Sequence, residues 1–244
     1  MQISKENYLK AIYSLELKKK TLIKTQNLAN YLEISPASVT EMLKKLAAEN
    51  YLSYIPYKGA KLLKKGLELA KKIIRRHRIL ELYLHKKLKF QWDEVHIEAE
   101  NLEHAVSDNL INKMEEILQF PQFDPHGDPI PDINGIVPKQ NDIPLSEATK
   151  SKHVIISRVS DESPEFLNYL KSKALTINKK IKIKNSFLKK IKLKIQNKIA
   201  FFEHMMKTIQ RFLAIGMKEI GQKEHMNYYL MYMTHKKYLI QVKY

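Results

Sequence analysis

The chain has 244 residues, contains no cysteine and carries a formal net charge of +17. This length is sufficient for two or three small domains, each with its own hydrophobic core. The lack of cysteine excludes disulfide bonds and thiolate ligands, so a bound metal would have only nitrogen and oxygen donors. The sequence contains neither an apolar run of about eighteen residues nor an N-terminal signal peptide, and it therefore predicts a cytoplasmic protein without a membrane partner.

The charge is distributed unevenly along the chain. Residues 1–76 carry 16 Lys and Arg against 6 Asp and Glu, residues 77–170 carry 9 against 17, and residues 171–244 carry 18 against 3. A basic segment followed by an acidic one indicates a polyanion-binding part joined to a cation-binding part. The basic third segment is also rich in Ile and Asn, a bias that genome composition alone can produce, so its charge is the weaker indication.

The first part of the chain has the pattern of a helix-turn-helix. An apolar stripe predicts a helix over residues 3–17, and a short second helix follows over residues 25–33. A third helix opens at Pro36, with Ser35 as its N-cap, and its first residues are small or hydroxylic. Such a helix can present its N-terminal residues to the major groove of DNA. The residues expected at base edges or nearby phosphates are Ser35, Pro36, Ala37, Ser38 and Thr40, with Lys44 on the DNA backbone.

A wing hairpin is predicted after the third helix. Two short strand-like runs lie between Tyr51 and Leu63 and flank the turn at Tyr57, Lys58 and Gly59. We expect Tyr57 and Lys58 to lie at the DNA, with Lys58 on phosphate. A helix-turn-helix pattern also occurs in protein-interaction domains, but the wing and the positive charge favour DNA binding.

The acidic segment contains potential metal ligands at helical spacing. They fall at i, i+4, i+7 and i+8, which would place them on one face of a single helix over residues 95–108: His96, Glu100, Glu103 and His104. His77 and Glu81 repeat the i, i+4 spacing on an earlier predicted helix. One such pair is more often a solvated polar face, but two helices with imidazoles and carboxylates favour a divalent transition metal inside a helical domain.

Taken in order, these motifs resemble the diphtheria-toxin-repressor family of iron- and manganese-dependent repressors, in particular its manganese transport regulator branch. The resemblance covers about the first 135 residues. The matching motifs are Asn7-Tyr-Leu-Lys-Ala-Ile-Tyr13, Ser38-Val-Thr-Glu-Met-Leu-Lys-Lys-Leu46, Tyr54-x-Pro-Tyr-Lys-Gly59, Arg76-His-Arg-x-Leu-Glu81, Trp92-Asp-Glu-Val-His96, Glu103-His104 with Ser107-Asp108, and Phe120-Pro-x-Phe-Asp-Pro-His-Gly-Asp-Pro-Ile-Pro131.

The resemblance implies a mainly α fold with small β parts. Residues 1–72 would form a winged helix-turn-helix DNA-binding domain, and residues 73–140 a helical metal-binding and dimerisation domain. Residues 141–199 would form an SH3-like, FeoA-like β domain, complete or truncated. Residues 200–244 are an atypical basic tail that matches no known pattern, so no fold is predicted for it.

The resemblance also implies the metal ligands. The main site would use His77, Glu100, Glu103 and His104, with Asn7 at the place of an Asp or Met in the family. A second site would use Glu81 with His96 in the iron-type pattern. In the longer manganese-type pattern it would use Asp124, His126 and an acid from the C-terminal domain, Glu162 or Glu165. Shorter manganese regulators have Glu at the position of Lys10, and a protonated lysine cannot bind a metal.

The function implied is that of a metal-dependent repressor of manganese or iron uptake genes. Mn(II) is the expected co-repressor because all donors are N and O, and Fe(II) is the alternative. The partners would be double-stranded DNA with a palindromic operator and a second copy of the chain. Two other readings remain: a metal-assisted hydrolase, for which no catalytic motif is found, and a metal-independent nucleic-acid binder that uses the basic tail.

Overall fold

The structure, a computed structural model, describes residues 5–18, 21–148, 153–160, 163–182 and 240–243. The chain divides into two units. The helical unit contains the described residues up to 90, residues 95–124 and residues 129–139. The sheet unit contains residues 91–94, residues 125–128 and the described residues from 140 onward.

Three helices and a hairpin form the first part of the helical unit: α1 (Lys5–Lys18), α2 (Thr25–Leu32), α3 (Pro36–Ala48), β1 (Leu52–Ile55) and β2 (Gly59–Leu62). The two strands are antiparallel, with Leu52 opposite Leu62. The apolar faces of these elements share one core, which includes the fully buried side chains of Leu9, Ile12, Leu28, Leu43 and Leu46. This arrangement is the predicted winged helix-turn-helix.

Local sequence explains the turn before α3 and the wing. The hydroxyl of Ser35 accepts a hydrogen bond from the backbone N–H of Ser38, and Pro36 begins the helix, as predicted. In the wing, Gly59 has φ +134°, and a Cβ there would lie 2.6 Å from the carbonyl oxygen of Ile23. Only glycine combines that backbone conformation with so close an approach of two chain segments.

Helices α4 (Lys64–Lys86), α5 (Val95–Leu102) and α6 (Asp108–Ile117) form the second part of the helical unit. Helix α4 has 23 residues, a length of about 35 Å at 1.5 Å per residue. Its apolar face packs on α5 and α6 in a core that includes Ile79, Leu80, Leu82, Ala99 and Ile111. Helix α4 also carries two of the predicted ligands, His77 and Glu81, both of which are buried.

The prediction of one uninterrupted helix over residues 95–108 was wrong. Helix α5 ends at Leu102, and α6 begins at Asp108. Ser107 explains the new start, because its hydroxyl accepts from the backbone N–H of Leu110 and caps α6. Glu103 keeps a helical hydrogen bond to Ala99, whereas the residues after it form a turn.

The sheet unit contains a four-stranded antiparallel sheet, one turn of 3-10 helix (Leu145–Glu147) and helix α7 (Pro164–Ser172). The strands are β3 (Ile143–Pro144), β4 (His153–Val159), β5 (Lys180–Lys182) and β6 (Ile240–Lys243), in the order β3-β6-β4-β5. Its core includes Trp92, Val154, Ile156, Phe166 and Leu167. Strand β6 comes from the tail, for which no fold was predicted. Residues 183–199 of the predicted SH3-like domain lie outside the described residues.

The fold class is the predicted one, mainly α with small sheets. Among the helices in the described ranges, none has the length and apolar character needed to cross a membrane.

Candidate metal centre and nucleic-acid interface

His77 lies at the centre of a buried polar cluster in the helical unit. Its Nδ1 atom is 2.7 Å from Oε2 of Glu103, and its Nε2 atom is 3.0 Å from Oε1 of Glu81. The same Nε2 atom is 3.1 Å from Nδ1 of His96, which is itself 3.1 Å from Oε1 of Glu81. Glu81 and Glu103 are fully buried and His77 almost so. We call these four residues together with Glu100 the His77 cluster.

Helix geometry brings the members of the His77 cluster together. His77 and Glu81 are one turn apart on α4, and His96 and Glu100 are one turn apart on α5. Glu103 follows the end of α5 and points into the same space. Because α4 and α5 pack on each other through their apolar faces, the two polar pairs meet, with His96 in contact with both His77 and Glu81.

The charges in the cluster stabilise one another. Burial alone would lower the pKa of His77, but the carboxylates of Glu81 and Glu103 raise it to about 9. Burial alone would raise the pKa of Glu103, but His77 and Lys10 hold it below its usual range. In the absence of metal, the imidazolium of His77 therefore neutralises part of the negative charge.

The donor atoms in the cluster fit a divalent ion. Two groups, His77–Glu81–His96 and His77–Glu100–Glu103, each have one donor atom per residue within 4.8 Å of the others. At metal–ligand distances of about 2.0–2.2 Å, ligand atoms around one ion lie about 3 Å apart. The distances among His77 Nε2, Glu81 Oε1 and His96 Nδ1 are of that size. All donors are nitrogen and oxygen, which suits Mn(II) and Fe(II).

Lys10 of α1 lies at the same place, as its position in the family pattern implied, but the ion pairs that it forms there were not predicted. Its Nζ atom is 2.5 Å from Oε1 of Glu100 and 2.7 Å from Oε1 of Glu103. Burial alone would lower the pKa of Lys10, but the carboxylates of Glu103 and Glu100 raise it, so the side chain stays an ammonium. Lys10 is therefore the counter-ion of two predicted ligands, Glu100 and Glu103.

Of the other ligands predicted for the main site, His104 contacts Glu103. Its Nδ1 atom is 2.6 Å from Oε2 of Glu6 on α1, and its Nε2 atom is 3.3 Å from Oε1 of Glu103. Sequence reasoning did not consider Glu6. Its position in the sequence, directly before the predicted ligand Asn7, could have indicated it. Both residues are half-buried in the first turn of α1.

The other predicted ligands that the structure describes lie in the helical unit or in the sheet unit. Asp124 is buried in the helical unit, 3.6 Å from Nε of Arg78. His126 is buried in the sheet unit, where its Nε2 donates to the carbonyl oxygen of Trp92 at 2.7 Å. Glu165 accepts from the hydroxyl of Ser163 at the start of α7. Glu162 lies outside the described residues.

The predicted DNA-binding residues of α3 lie at the surface. Ser35, Pro36, Ala37, Ser38 and Lys44 are exposed, and Thr40 is half-buried. The hydroxyls of Ser35 and Ser38 are 2.8 Å apart, and that of Thr40 donates to the carbonyl oxygen of Pro36. Ser35 therefore has a structural role as the helix cap in addition to any contact with DNA.

The wing presents an exposed tip. Tyr57 is fully exposed and has φ 63°, a conformation that its place in the turn imposes. Lys58 beside it is also exposed. The two predicted wing residues thus extend from the same hairpin and are accessible to a nucleic acid.

Comparison with known proteins agrees with this architecture. Residues 2–60 match the family model described as the N-terminal DNA-binding domain of iron-dependent repressors. Residues 63–132 match that of the metal-binding and dimerisation domain of the same repressors, and residues 143–210 match the FeoA domain.

Curated relatives and solved structures give the same result. An uncharacterised HTH-type transcriptional regulator of Methanocaldococcus jannaschii is 38% identical over 119 residues, which are 49% of this chain and 95% of the relative. The HTH-type transcriptional regulator MntR of Listeria innocua is 32% identical over 139 residues, 57% of this chain and 95% of the relative.

Two solved structures resemble the fold. A manganese-dependent transcriptional repressor in complex with manganese has a TM-score of 0.67 and 35% identity, covering 72% of this chain and 81% of that one. The IdeR protein of T. acidophilum has a TM-score of 0.64 and 26% identity, covering 77% of this chain and 87% of that one.

A winged helix-turn-helix followed by a helical domain with buried imidazoles and carboxylates is the architecture of a metal-responsive DNA-binding regulator. The chain belongs to the iron-dependent repressor family of metal-dependent transcriptional repressors, which also contains the regulators named MntR. Members of this family bind DNA and are not enzymes, so the hydrolase reading is excluded.

Proposed function

We propose that this protein represses manganese uptake genes with Mn(II) as its co-repressor. The single observation that carries the proposal is the His77 cluster. Its nitrogen and oxygen donors from α4 and α5 lie within 4.8 Å of one another in each group, close enough to bind one ion. The manganese dependence of the repressors with similar structure supports the choice of metal. Fe(II) is the alternative metal, and the likeness to IdeR supports it less strongly because the identity is lower.

The metal ligands proposed are those of the His77 cluster, joined by His104. A bound divalent ion would supply two positive charges that draw the carboxylates and imidazoles into one arrangement. His77 and Glu81 would bind the ion from α4, and His96 would bind it from α5, so the ion would join the two helices. Asn7, Asp124, His126, Glu162 and Glu165 remain proposed ligands for further coordination.

Helix α1 connects the cluster to the DNA-binding part. Lys10 contacts Glu100 and Glu103, while Leu9 and Ile12 of the same helix lie in the core that supports α3. A shift at the carboxylates therefore reaches the recognition helix through two adjacent turns of α1. In such a coupling α1 has one position that is competent for DNA binding and one that is not. The free energy available is the difference in metal affinity between these two states.

The DNA partner proposed is a palindromic operator bound by a homodimer. Two copies of α3 related by a two-fold axis read half-sites about one helical turn, 34–36 Å, apart. Lys58 of each wing contacts phosphate, and the N-terminal residues of α3 face the bases. The match of residues 63–132 to a dimerisation domain supports the homodimer.

The domain organisation proposed follows the sequence boundaries. Residues 1–72 bind DNA, residues 73–140 bind metal and dimerise, and residues 141–199 form the FeoA-like domain. Within residues 200–244, strand β6 pairs with β3 and β4 and so belongs to the sheet of that domain.

The proposed function is tested by DNA binding of the full chain to its own promoter region. Fluorescence anisotropy is measured with Mn(II), Fe(II) under anaerobic conditions, Zn(II) or chelator, and a duplex of shuffled sequence is the control. We expect Mn(II) to tighten binding at least tenfold on the promoter and not on the shuffled duplex. Binding of equal strength in Mn(II) and chelator, with steep dependence on salt, would instead support the metal-independent binder.

A further inference from the structure

A side chain of α1 is bonded to the outer edge of strand β2 in the wing. The backbone N–H of Leu62 donates to Oε1 of Glu16 at 2.8 Å, although the two residues are 46 positions apart in sequence. Two residues earlier on the same strand, Ala60 exchanges two backbone hydrogen bonds with Ile23, at 2.8 and 2.9 Å. N–H groups two residues apart point to the same edge of a strand, so the carboxylate of Glu16 continues the row of acceptors that Ile23 begins.

The bond between Glu16 and Leu62 is shielded from water. Leu62 is buried, and Glu16 is half-buried in the last turn of α1. Burial raises the pKa of Glu16, whereas the N–H of Leu62 and the positive charge of Lys61 act in the opposite direction. Because a buried N–H without an acceptor is unfavourable, this bond favours a structure in which the end of α1 and the edge of β2 stay together.

Strand β2 leads directly from the tip of the wing to this bond. Tyr57 and Lys58 are exposed at the tip, and β2 begins at the next residue, Gly59. Leu62 is the last residue of the strand, about 10 Å from Gly59 at 3.3 Å per residue. A two-stranded hairpin is only marginally stable by itself, so the direction in which the wing extends depends on what its edges are attached to.

Helix α1 also carries contacts with the proposed metal centre. Lys10 contacts Glu100 and Glu103, and Glu16 lies six residues further along the helix, about 9 Å at 1.5 Å per residue. Helix α1 is one continuous helix of 14 residues without glycine or proline, so a change in the position of its first half moves Glu16 as well. The wing is therefore connected to the metal centre through one helix.

We propose that Glu16 is a positioning residue for DNA binding, which holds β2 on α1 so that Lys58 at the tip of the wing reaches a DNA phosphate. This inference rests on the proposed function and deepens it. Metal then acts on two DNA contacts through α1: on α3 through the core that the two helices share, and on the wing through the bond between Glu16 and Leu62.

The test combines Glu16→Ala with Lys58→Ala in the full chain loaded with Mn(II). The slope of log affinity against log salt for the promoter duplex counts phosphate contacts, at about 0.9 per phosphate. We expect Glu16→Ala to reduce the slope by about one unit, as Lys58→Ala does, and the double variant to reduce it no further. Glu68→Ala removes the same charge from an exposed position of α4 and should keep the slope of the full chain.

Two results of this comparison would overturn the inference. The first is a slope of Glu16→Ala equal to that of the full chain. The second is a further reduction of about one unit when Lys58→Ala is added to Glu16→Ala, because the wing would then reach phosphate without Glu16.

Two further measurements keep the test decisive if Glu16→Ala folds poorly. Glu16→Gln keeps an acceptor oxygen for the N–H of Leu62, so we expect it to retain the slope of the full chain, and a loss as large as that of Glu16→Ala would overturn the inference. Amide hydrogen exchange without DNA should be faster at residues 59–62 in Glu16→Ala than in Glu68→Ala, with α3 unchanged. Equal exchange at residues 59–62 in the two variants would also overturn it.

These results separate the inference from the proposed function, which depends on whether Mn(II) tightens binding of the full chain to its promoter. A full chain that responds to Mn(II) while Glu16→Ala keeps its slope would retain the proposed function and contradict the inference. A slope that Lys58→Ala leaves unchanged would also overturn the inference, because the wing would then make no phosphate contact for Glu16 to position.

Discussion

His77 and Glu103 join α4 to the turn after α5, with Nδ1 of the imidazole 2.7 Å from Oε2 of the carboxylate. Both side chains are buried, and they come from positions 26 residues apart. Glu103 contacts Lys10 of α1 through its other oxygen. This pair therefore joins three segments of the helical unit at the proposed metal centre, and its protonation should affect stability.

The first prediction concerns pH in the absence of metal. The pKa of His77 in the folded protein is about 9, above the ordinary value of 6.5. A raised folded-state pKa gives stability that is fully present below pH 6.5 and is lost as pH rises toward 9. We expect the free energy of unfolding in chelator to fall across that window by an amount on the order of 3 kcal/mol. Urea denaturation of the full chain and of His77→Gln measures it, and an equal loss in both proteins would contradict the role of His77.

The second prediction concerns the N-cap of the recognition helix. The hydroxyl of Ser35 accepts from the backbone N–H of Ser38. We expect Ser35→Ala to destabilise the protein by about 1 kcal/mol, because that N–H loses its partner at the first turn. Chemical denaturation measures the change, with Ser53→Ala on the exposed face of β1 as the control. Identical stability of the two variants would show that the cap contributes nothing.

The third prediction concerns the wing. Lys58 is exposed next to the fully exposed Tyr57. We expect Lys58→Ala to weaken binding to all DNA sequences by a similar factor, and to reduce the slope of log affinity against log salt by about one unit. Titrations at several salt concentrations measure that slope. A loss restricted to one DNA sequence would mean that Lys58 reads a base.

The fourth prediction concerns the dimer. Leu110 and Ile117 of α6 are 45% and 50% exposed, and their spacing of seven places them on the same face of the helix. We expect Leu110→Glu to weaken self-association, since it puts a charge into an apolar interface between two copies. Sedimentation at micromolar concentration measures the effect, and Asn109→Glu adds the same charge one position away as the control. A dimer in both variants would place the interface elsewhere.

Much of the fold could be predicted because its signals are local. Ser35 and Pro36 mark the start of α3 within two residues, and Gly59 marks the wing turn. The break between α5 and α6 was missed because the spacing of His96 and Glu100 continues as far as His104, while the signal of the break is a single cap at Ser107. Strand β6 was missed because its pairing with β4 joins segments far apart in sequence.

The site could be predicted only where its residues lie on one or two neighbouring helices. The spacing of His77 with Glu81 and of His96 with Glu100 indicated both faces of the cluster. The contacts of Lys10 and Glu6 were not predicted, because they depend on how α1 packs against residues 90 or more positions away. A pattern of side chains along one helix carries no information about such a partner.

In the proposed function metal acts on DNA binding through His77, and the response of a His77 variant to Mn(II) tests this most directly. The affinity of His77→Ala for the promoter duplex is compared in Mn(II) and in chelator with that of His85→Ala. His85 lies two turns further along α4 and contacts the carbonyl oxygen of Phe90, away from the cluster. We expect Mn(II) to tighten binding by His85→Ala at least tenfold and to leave binding by His77→Ala unchanged. A response to Mn(II) of the same size in both variants would contradict the account.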